Sequence, residues 1–351
     1  MSPIKNDMLK KANIEAIYNL YLYLVHKSRP EVHQTFGAAV RLLEESFSLA
    51  PDNWSQRETL RLSILKNAVL QTPTLSSSVI NELTVSKSGL TACSFIRPDG
   101  SISVVFRGTG SGEWIDNGEG LSGMPEKNNY ITYGKCGKAV HFQIVQEDYA
   151  TDQQVQALNW FNFIAVKHGW SELTDITVSG HSKGGNKAQF VTIHSALIDN
   201  CFSFDGQGFS PEALSHFRAR LGEKYYSRRL NMISLSAAND YVNVLGERLI
   251  PEENIYFFES ENGLHQPEAI LNQSGELLPQ KEQGELSLLV ERVSSKLMDM
   301  PPFVRQYATL GVMNVFQKYL GSGTPVNGDS VSLKKTIAGL GIALGSLLRS
   351  I

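Results

Sequence analysis

The chain has 351 residues, of which 42% are hydrophobic, and a formal net charge of −3 at pH 7. This length and composition predict a globular protein with a sizeable core, built as one large domain or two ordinary ones. The weakly acidic balance, without a long run of basic residues interleaved with aromatics, argues against nucleic acid as a partner.

The cysteines and the first residues bear on the cellular compartment. Cys93, Cys136 and Cys201 are far apart and lack metal-ligand spacing, which is typical of buried thiols. No uninterrupted apolar stretch with a small-residue cleavage site follows the first residues, so an ordinary secretory signal is not expected. We expect a cytoplasmic protein, or one that is exported without an ordinary signal peptide.

The first part of the chain has a helical pattern. Apolar residues recur at helical spacing from about residue 8 to residue 70. Tyr18, Tyr21 and Tyr23 form an aromatic stripe there, which could contact lipid or a partner but is more typical of packing against a neighbouring domain. Residues 1–84 are therefore predicted to form a helical N-terminal region packed on the core.

Two strands are predicted next, at residues 90–96 and 102–106, with a turn containing Pro98 and Gly100 between them. The second strand runs into the motif FRGTG, which contains Thr109. Such a loop is usually only a connection. Beside a catalytic serine, however, a loop after an early strand can supply an oxyanion-binding N–H, and Thr109 is the candidate.

The stretch from residue 112 to residue 133 is rich in Gly, Asn, Pro and acidic residues and lacks periodicity, so it is predicted to be loop. It could cover a site or be a buried connection. A helix is then predicted from Asp152, as its N-terminal cap, to about His168, which leads into the next strand as an α/β unit.

The central motif is Gly180-His181-Ser182-Lys183-Gly184, which fits G-x-S-x-G between a predicted strand and a predicted helix. In a nucleophile elbow the serine occupies a strained turn, and the two glycines let the strand and the helix approach. Ser182 is therefore the candidate nucleophile. The backbone N–H of Lys183, the residue after it, is the second candidate oxyanion donor.

Later strands supply candidates for the other two catalytic groups. A strand at about 229–235 ends before the sequence SAAND, which contains Asp240, and a strand at 254–258 precedes the loop with His265. The order Ser, Asp, His, with the acid and the histidine on loops after late strands, is the order of an α/β-hydrolase triad.

Other residues compete for these roles. Asp205 also follows a strand but comes one strand too early, so a turn-capping role is the better interpretation. His181 adjoins the nucleophile in sequence and is expected to point away from it. His194 and His216 fall in helical segments, where a lone histidine is usually structural.

The motifs FRGTG, VSGHSKGGNKA, SAAND and NGLHQ, in this order, resemble the lipase class 3 core of the α/β hydrolases. The chain is also similar to a bacterial lipase-like family with a GHSKGGNLA elbow followed by FDGxGF, matched here by residues 204–209. That family includes phospholipases exported without an ordinary signal peptide. The resemblance covers roughly residues 90–266 and neither flank.

The resemblance implies an α/β fold: an α/β-hydrolase core at residues 85–284 with a mostly parallel sheet, and helical additions at both ends. It implies a serine hydrolase, most simply a lipase or an A1-type phospholipase, with a Ser182-Asp240-His265 triad and no metal or organic cofactor. Lys183 replaces the leucine usual in lipases, and a cation there would favour an anionic head group or a partner carboxylate.

Two alternatives stay open for the function. One is a non-catalytic interaction protein on a hydrolase scaffold, and the other is an esterase or thioesterase acting on non-lipid esters. The sequence also leaves open whether an inhibitor protein or a chaperone binds.

The C-terminal region, residues 285–351, is predicted to contain helices at 286–297 and 303–320. Its tail, from residue 336, is apolar but shorter than the ~20 residues that span a bilayer. The tail could lie at a membrane surface or dock on the protein's own helices.

Overall fold

An eight-stranded sheet forms the centre of the computed structural model, which describes residues 3–28, 30–86, 89–109, 114–123, 130–135 and 141–320, together with 341 and 345. Its strand order is β1-β2-β3-β6-β7-β8-β9-β10, and β4 and β5 form a separate antiparallel pair. The strands are β1 Val79–Val85, β2 Thr91–Ile96, β3 Ile102–Phe106, β4 Tyr130–Lys135, β5 His141–Gln146, β6 Ile176–His181, β7 Asn200–Phe204, β8 Met232–Ala237, β9 Ile255–Phe258 and β10 Gln280–Lys281.

The middle of the sheet is parallel, from β3 through β6, β7 and β8 to β9, whereas β1, β2 and β10 pair antiparallel at the two edges. Parallel strands need crossover connections, and helices supply those from β3 to β6, from β6 to β7 and from β7 to β8. The predicted α/β-hydrolase core with a mostly parallel sheet is therefore confirmed. Because parallel strands end at one edge, the loops after β6, β8 and β9 come together.

The helices are α1 Asn6–Leu22, α2 Phe36–Leu49, α3 Gln56–Gln71, α4 Pro73–Ser76, α5 Trp114–Ser122, α6 Asp152–Lys167, α7 Lys183–His194, α8 Pro211–Leu221, α9 Glu223–Arg229, α10 Glu285–Met298 and α11 Pro302–Leu320. Among the described residues, no helix is long and apolar enough to cross a membrane.

Each face of the sheet has its own apolar core. Side chains alternate along a strand, so that Cys201 of β7 packs into one core and Phe202 into the other. Helices α1, α2 and α3 cover the Phe202 face, while α6, α7 and α8 cover the opposite face. On the Phe202 face, Tyr18 and Tyr21 are fully buried, and the centroid of the Tyr18 ring lies 4.0 Å from that of Phe95 in a stacked arrangement. The tyrosine stripe packs on the protein itself.

A buried carboxylate fastens α1 to the sheet. Glu15 is fully buried and lies 2.8 Å from the guanidinium of Arg97, and it accepts hydrogen bonds from Ser103 and Ser179 on the adjacent strands β3 and β6. Burial raises the pKa of the Glu15 carboxyl, and the arginine and the two hydroxyls oppose that rise. The N-terminal helices are therefore attached to the sheet by polar as well as apolar contacts.

Several sequence predictions differ from the structure. The boundary expected at residue 84 falls inside β1, which belongs to the sheet. The stretch 112–133 is not all loop, since it contains helix α5 and the beginning of β4. The cap of α6 is Thr151, whose hydroxyl accepts the Gln154 N–H in a capping box. The apolar tail from residue 336 lies outside the described residues except for Gly341 and Gly345.

Candidate active site

Ser182 lies at the turn between β6 and α7, with φ 60° and ψ −126°. A residue with a side chain rarely adopts this left-handed region, and strain of this kind is typical of nucleophile elbows. The two motif glycines explain how the turn closes. A side chain at Gly180 would overlap the Gly184 carbonyl oxygen, and one at Gly184 would overlap the Phe106 carbonyl oxygen.

The structure brings Ser182, His265 and Asp240 into one hydrogen-bonded chain. The distance from His265 Nε2 to Ser182 Oγ is 2.8 Å, and that from His265 Nδ1 to Asp240 Oδ2 is 2.5 Å. With the ring proton on Nδ1, the imidazole donates to the carboxylate and accepts from the serine hydroxyl. This is the arrangement in which a histidine can take a proton from serine.

Asp240 is fully buried in the loop after β8, and its second oxygen is also occupied. Oδ1 accepts the backbone N–H groups of Val242 and Asn243, each at 2.7 Å. These two donors compensate the carboxylate for its lost hydration and fix its orientation. Asp240 thus presents Oδ2 to His265 in one geometry.

The candidate oxyanion donors lie on both sides of the serine. A Cβ at Gly108 would be 3.0 Å from the Ser182 Cβ, so the loop that contains Thr109 passes directly beside Ser182. Lys183 is the first residue of α7, and a first-turn N–H has no partner within its own helix. The Asn117 amide of α5 donates to Thr109 Oγ1 at 2.9 Å, a contact that the sequence did not indicate because its segment was interpreted as loop.

The side chain of Lys183 does not face the site as a free cation. Its ammonium is fully buried and lies 2.6 Å from Asp116 Oδ2 on α5. Asp116 also accepts hydrogen bonds from the Thr151 hydroxyl and the Gln153 N–H at the start of α6. An internal carboxylate therefore occupies the place beside this lysine where an anionic head group or a partner carboxylate was expected.

Asp205 lies one residue after β7, with φ 48°, and does not bond to His265. Its Oδ1 accepts the Ala237 N–H at 2.9 Å, which ties the ends of β7 and β8 together. Burial, and then the nearby negative charge of Asp240, raise the pKa of Asp205 well above its ordinary range. The structural interpretation of Asp205 agrees with this geometry.

His181 belongs to a second layer of polar groups behind the triad. Its Nδ1 lies 2.8 Å from the Tyr23 hydroxyl, and its Nε2 lies 3.6 Å from Asp205 Oδ2. Its ring centroid is 5.0 Å from that of His265. Burial, together with the neighbouring His265, lowers the pKa of His181 well below its ordinary range, so it stays neutral. No local pattern in the sequence links Tyr23 to the elbow, 158 residues away.

The donor atoms of His181, Asp205 and His265 all lie within 4.8 Å of one another, a spacing that a metal ion could bridge. Both nitrogens of His265 already bond to Asp240 and Ser182, however, so a metal there would have to break the hydrogen-bonded chain. The remaining two histidines of interest, His194 and His216, both contact the buried Glu147, away from Ser182.

Comparison with known proteins gives a partial likeness. The model of the Mbeg1-like family matches residues 141–228, that is, 88 of 351 residues. The matched segment contains Ser182, Lys183 and Asp205, but ends before Asp240 and His265. No curated protein matches the chain.

Solved structures that resemble the chain include the crystal structure of M37 lipase, at 13% sequence identity and a TM-score of 0.32. The similarity covers 69% of this chain and 70% of that one. A likeness of this size supports no conclusion about activity. The parallel sheet, the elbow after β6 and the order of the candidate residues place this chain among proteins with an α/β-hydrolase core.

Proposed function

We propose that the protein is a serine hydrolase that cleaves acyl ester bonds, with Ser182 as nucleophile, His265 as general base and acid, and Asp240 as the group that orients the histidine. The observation that carries this proposal is the continuous chain of contacts from Asp240 Oδ2 through His265 to Ser182 Oγ, at 2.5 and 2.8 Å. The strained backbone of Ser182 supports it independently.

In the proposed reaction, His265 Nε2 takes the Ser182 proton as Oγ attacks the ester carbonyl carbon. The carbonyl oxygen becomes an oxyanion, which the backbone N–H groups of Thr109 and Lys183 stabilise. His265 then gives the proton to the departing alcohol, and an acyl-serine remains. Water then attacks this ester with His265 again as base, and His265 returns the proton to Ser182 Oγ as the acyl–oxygen bond breaks and the fatty or other acid is released. The chemistry requires no metal or organic cofactor.

The substrate class is proposed from the resemblance of the elbow and the FDGxGF segment to lipase-like proteins, because the triad alone also serves esterases and thioesterases. We propose a lipid acyl ester, as in a lipase or an A1-type phospholipase. Lys183 is left out of head-group recognition because its charge is neutralised inside the protein.

The first experiment compares the protein with Ser182→Ala on a short-chain p-nitrophenyl ester. Removal of a triad serine lowers turnover by about a millionfold, so hydrolysis should fall to background while the melting temperature is retained. An unchanged rate in a folded variant would overturn Ser182 as the nucleophile, whereas the absence of any hydrolysis by the unchanged protein would favour the non-catalytic alternative.

The second experiment identifies the ester. The protein is incubated with mixed phospholipids and neutral glycerides, and the released fatty acids and lysolipids are measured by mass spectrometry. Release from the first acyl position of phospholipids is the expected result. Turnover of the p-nitrophenyl ester without release from any lipid would favour the esterase or thioesterase alternative.

A further inference from the structure

The loop that contains His265 is held from outside the catalytic core. Arg61, on helix α3 of the N-terminal region, donates from Nε to Glu268 Oε2 at 2.8 Å and from Nη2 to Gln266 Oε1 at 3.1 Å. Gln266 is the residue after His265, and Glu268 follows two positions later. Arg61 is 8% exposed and Glu268 is fully buried, so the ion pair is shielded from water.

The same arginine also contacts the second polar layer of the site. Its guanidinium lies 5.0 Å from the centroid of the Tyr23 ring, within the range of a cation–π contact. The Tyr23 hydroxyl reaches His181 Nδ1 at 2.8 Å, and a side chain at Gly108 would overlap that hydroxyl. Arg61 and Tyr23 therefore contact the histidine loop, the residue before the nucleophile and the loop before Thr109.

We infer that Arg61 is a positioning residue. Through it, the N-terminal helices hold the His265 loop so that His265 stays within hydrogen-bonding distance of Ser182. This inference rests on the proposed function. His265 must keep two hydrogen bonds at once, to Asp240 and to Ser182, from a loop between β9 and the short edge strand β10. Displacements of about 1 Å in such a site can lower turnover by about a hundredfold.

The competing explanation is that the Arg61–Glu268 pair only stabilises the fold. Removal of one partner alone cannot separate the two explanations, because the remaining buried charge destabilises the protein in either case. Replacement of both partners by apolar residues of similar size removes this penalty, since no unpaired charge remains. The double variant therefore restores stability without restoring the hydrogen bonds of the guanidinium to Glu268 and Gln266.

The experiment measures Tm, kcat and KM on a p-nitrophenyl ester for Arg61→Met, Glu268→Met and the double variant. The single variants should lower Tm by about 5–10 °C. The double variant should recover most of that loss, yet its kcat should stay about 10- to 100-fold below that of the unchanged protein, with KM changed by less than about twofold. Recovery of kcat together with Tm would overturn the inference.

Two further single variants complete the experiment, the first as a matched control and the second as an additional test. Arg57 is a second arginine on the same helix, and its side chain is 48% exposed and lies 3.8 Å from Glu268. Arg57→Met should keep kcat within about twofold of the unchanged protein. Gln266→Met removes only the contact next to His265 and leaves the ion pair intact, and kcat should fall while Tm is retained. A loss of kcat in Arg57→Met equal to that in Arg61→Met would also overturn the inference.

A spectroscopic measurement separates this inference from the proposed function. The Nδ1 proton of His265, in its 2.5 Å hydrogen bond to Asp240, should give a far-downfield proton NMR signal that does not depend on turnover. The signal should be present in the unchanged protein and in Arg57→Met, and broadened or lost in the double variant. If the unchanged protein hydrolyses no ester, the proposed function fails, and the signal alone still decides the role of Arg61. A His265 signal in the double variant identical to that of the unchanged protein would contradict the positioning role inferred for Arg61.

Discussion

At the scale of single residues, two neighbouring buried carboxyl groups, Asp240 and Asp205, differ in their hydrogen-bond partners. Asp240 receives two backbone N–H groups and faces His265, whereas Asp205 receives one N–H, lies beside Asp240 and has a raised pKa. Two buried carboxylates so close together resist being ionised at the same time. The raised pKa of Asp205, caused first by burial and then by Asp240, therefore favours the protonated form of Asp205.

The two aspartates should respond differently to amide substitution. Asp240→Asn removes the acceptor that holds the imidazole in the required tautomer and should lower kcat about 10⁴-fold. Asp205→Asn resembles the protonated acid already present and should keep kcat within about tenfold. Steady-state hydrolysis of a p-nitrophenyl ester measures both. The opposite ranking would make Asp205 the triad acid.

The raised pKa of Asp205 also predicts a pH dependence of stability. The folded state keeps the proton at pH values where the unfolded chain, with an Asp pKa of about 3.9, has lost it. The unfolded state is then favoured increasingly as pH rises above about 4, so this carboxyl lowers stability towards neutral pH. Asp205→Asn should therefore have a more favourable Tm, relative to the unchanged protein, at pH 7 than at pH 4.5. Thermal melts that show a constant or inverted difference would mean that Asp205 is charged.

At the scale of elements, helix α5 is attached to the elbow by ion pairing. Lys183 follows Ser182 and forms an ion pair with Asp116 of α5, which in turn accepts hydrogen bonds from the first residues of α6. The neighbouring residue Asn117 supports the Thr109 loop from the same helix. One face of α5 thus contacts both candidate oxyanion segments, and the helix is fastened over them.

This attachment predicts the effect of Lys183→Leu. The substitution keeps the backbone N–H but leaves Asp116 without its cation, so it should lower the free energy of unfolding by about 3–5 kcal/mol. Lys66→Leu breaks an exposed ion pair with Glu44 and should cost less than about 1 kcal/mol. Urea titration provides both values. The rates of hydrolysis of neutral and anionic lipids should change equally. A loss of rate on anionic lipid alone would indicate that Lys183 does recognise the head group.

The elbow predicts a second difference, between two glycines. At Gly184 a methyl group would overlap the backbone of β3, so Gly184→Ala should cost about 3 kcal/mol of stability and abolish hydrolysis. At Gly169, where φ is 66° but the space around the Cβ position is open, the same substitution should cost only about 1 kcal/mol. Similar losses of Tm in the two variants would contradict the close contact of β3 and α7.

At the scale of the whole molecule, the N-terminal helices and the sheet share one apolar core. Tyr18 of α1 stacks on Phe95 of β2, and Glu15 joins α1 to β3 and β6. Separation of the helices from the sheet would expose a whole sheet face and a buried carboxylate, and both are costly. The N-terminal region and the hydrolase core are therefore expected to unfold as one cooperative unit.

Hydrogen exchange tests this expectation. Backbone amides in α1 and in β6 should exchange under native conditions with the same free energy of opening, because both are released only by global unfolding. Peptides that cover residues 6–22 and 176–181 can be compared by mass spectrometry. A much lower free energy for α1 would mean that the N-terminal region is a separate unit that opens by itself, and would also weaken the role inferred for Arg61.

The sequence by itself determined the parts of this protein that depend on short-range patterns. Period-2 and helical spacing located β2, β3 and α10 to within a few residues, and G-x-S-x-G located the strained turn. Asp240 and His265 followed from the rule that functional loops lie at the carboxyl ends of successive parallel strands. Each of these inferences needs only neighbouring residues and chain order.

Only the tertiary structure decided which distant residues meet. A buried cation looks the same in sequence as an exposed one, so the direction of the Lys183 side chain had to come from the position of Asp116. Arg61 lies on α3 and Tyr23 directly after α1, with no local mark of function, and they reach the site because the N-terminal helices cover the sheet. Burial, partner choice and pKa shifts are properties of the packed chain, and local patterns do not contain them.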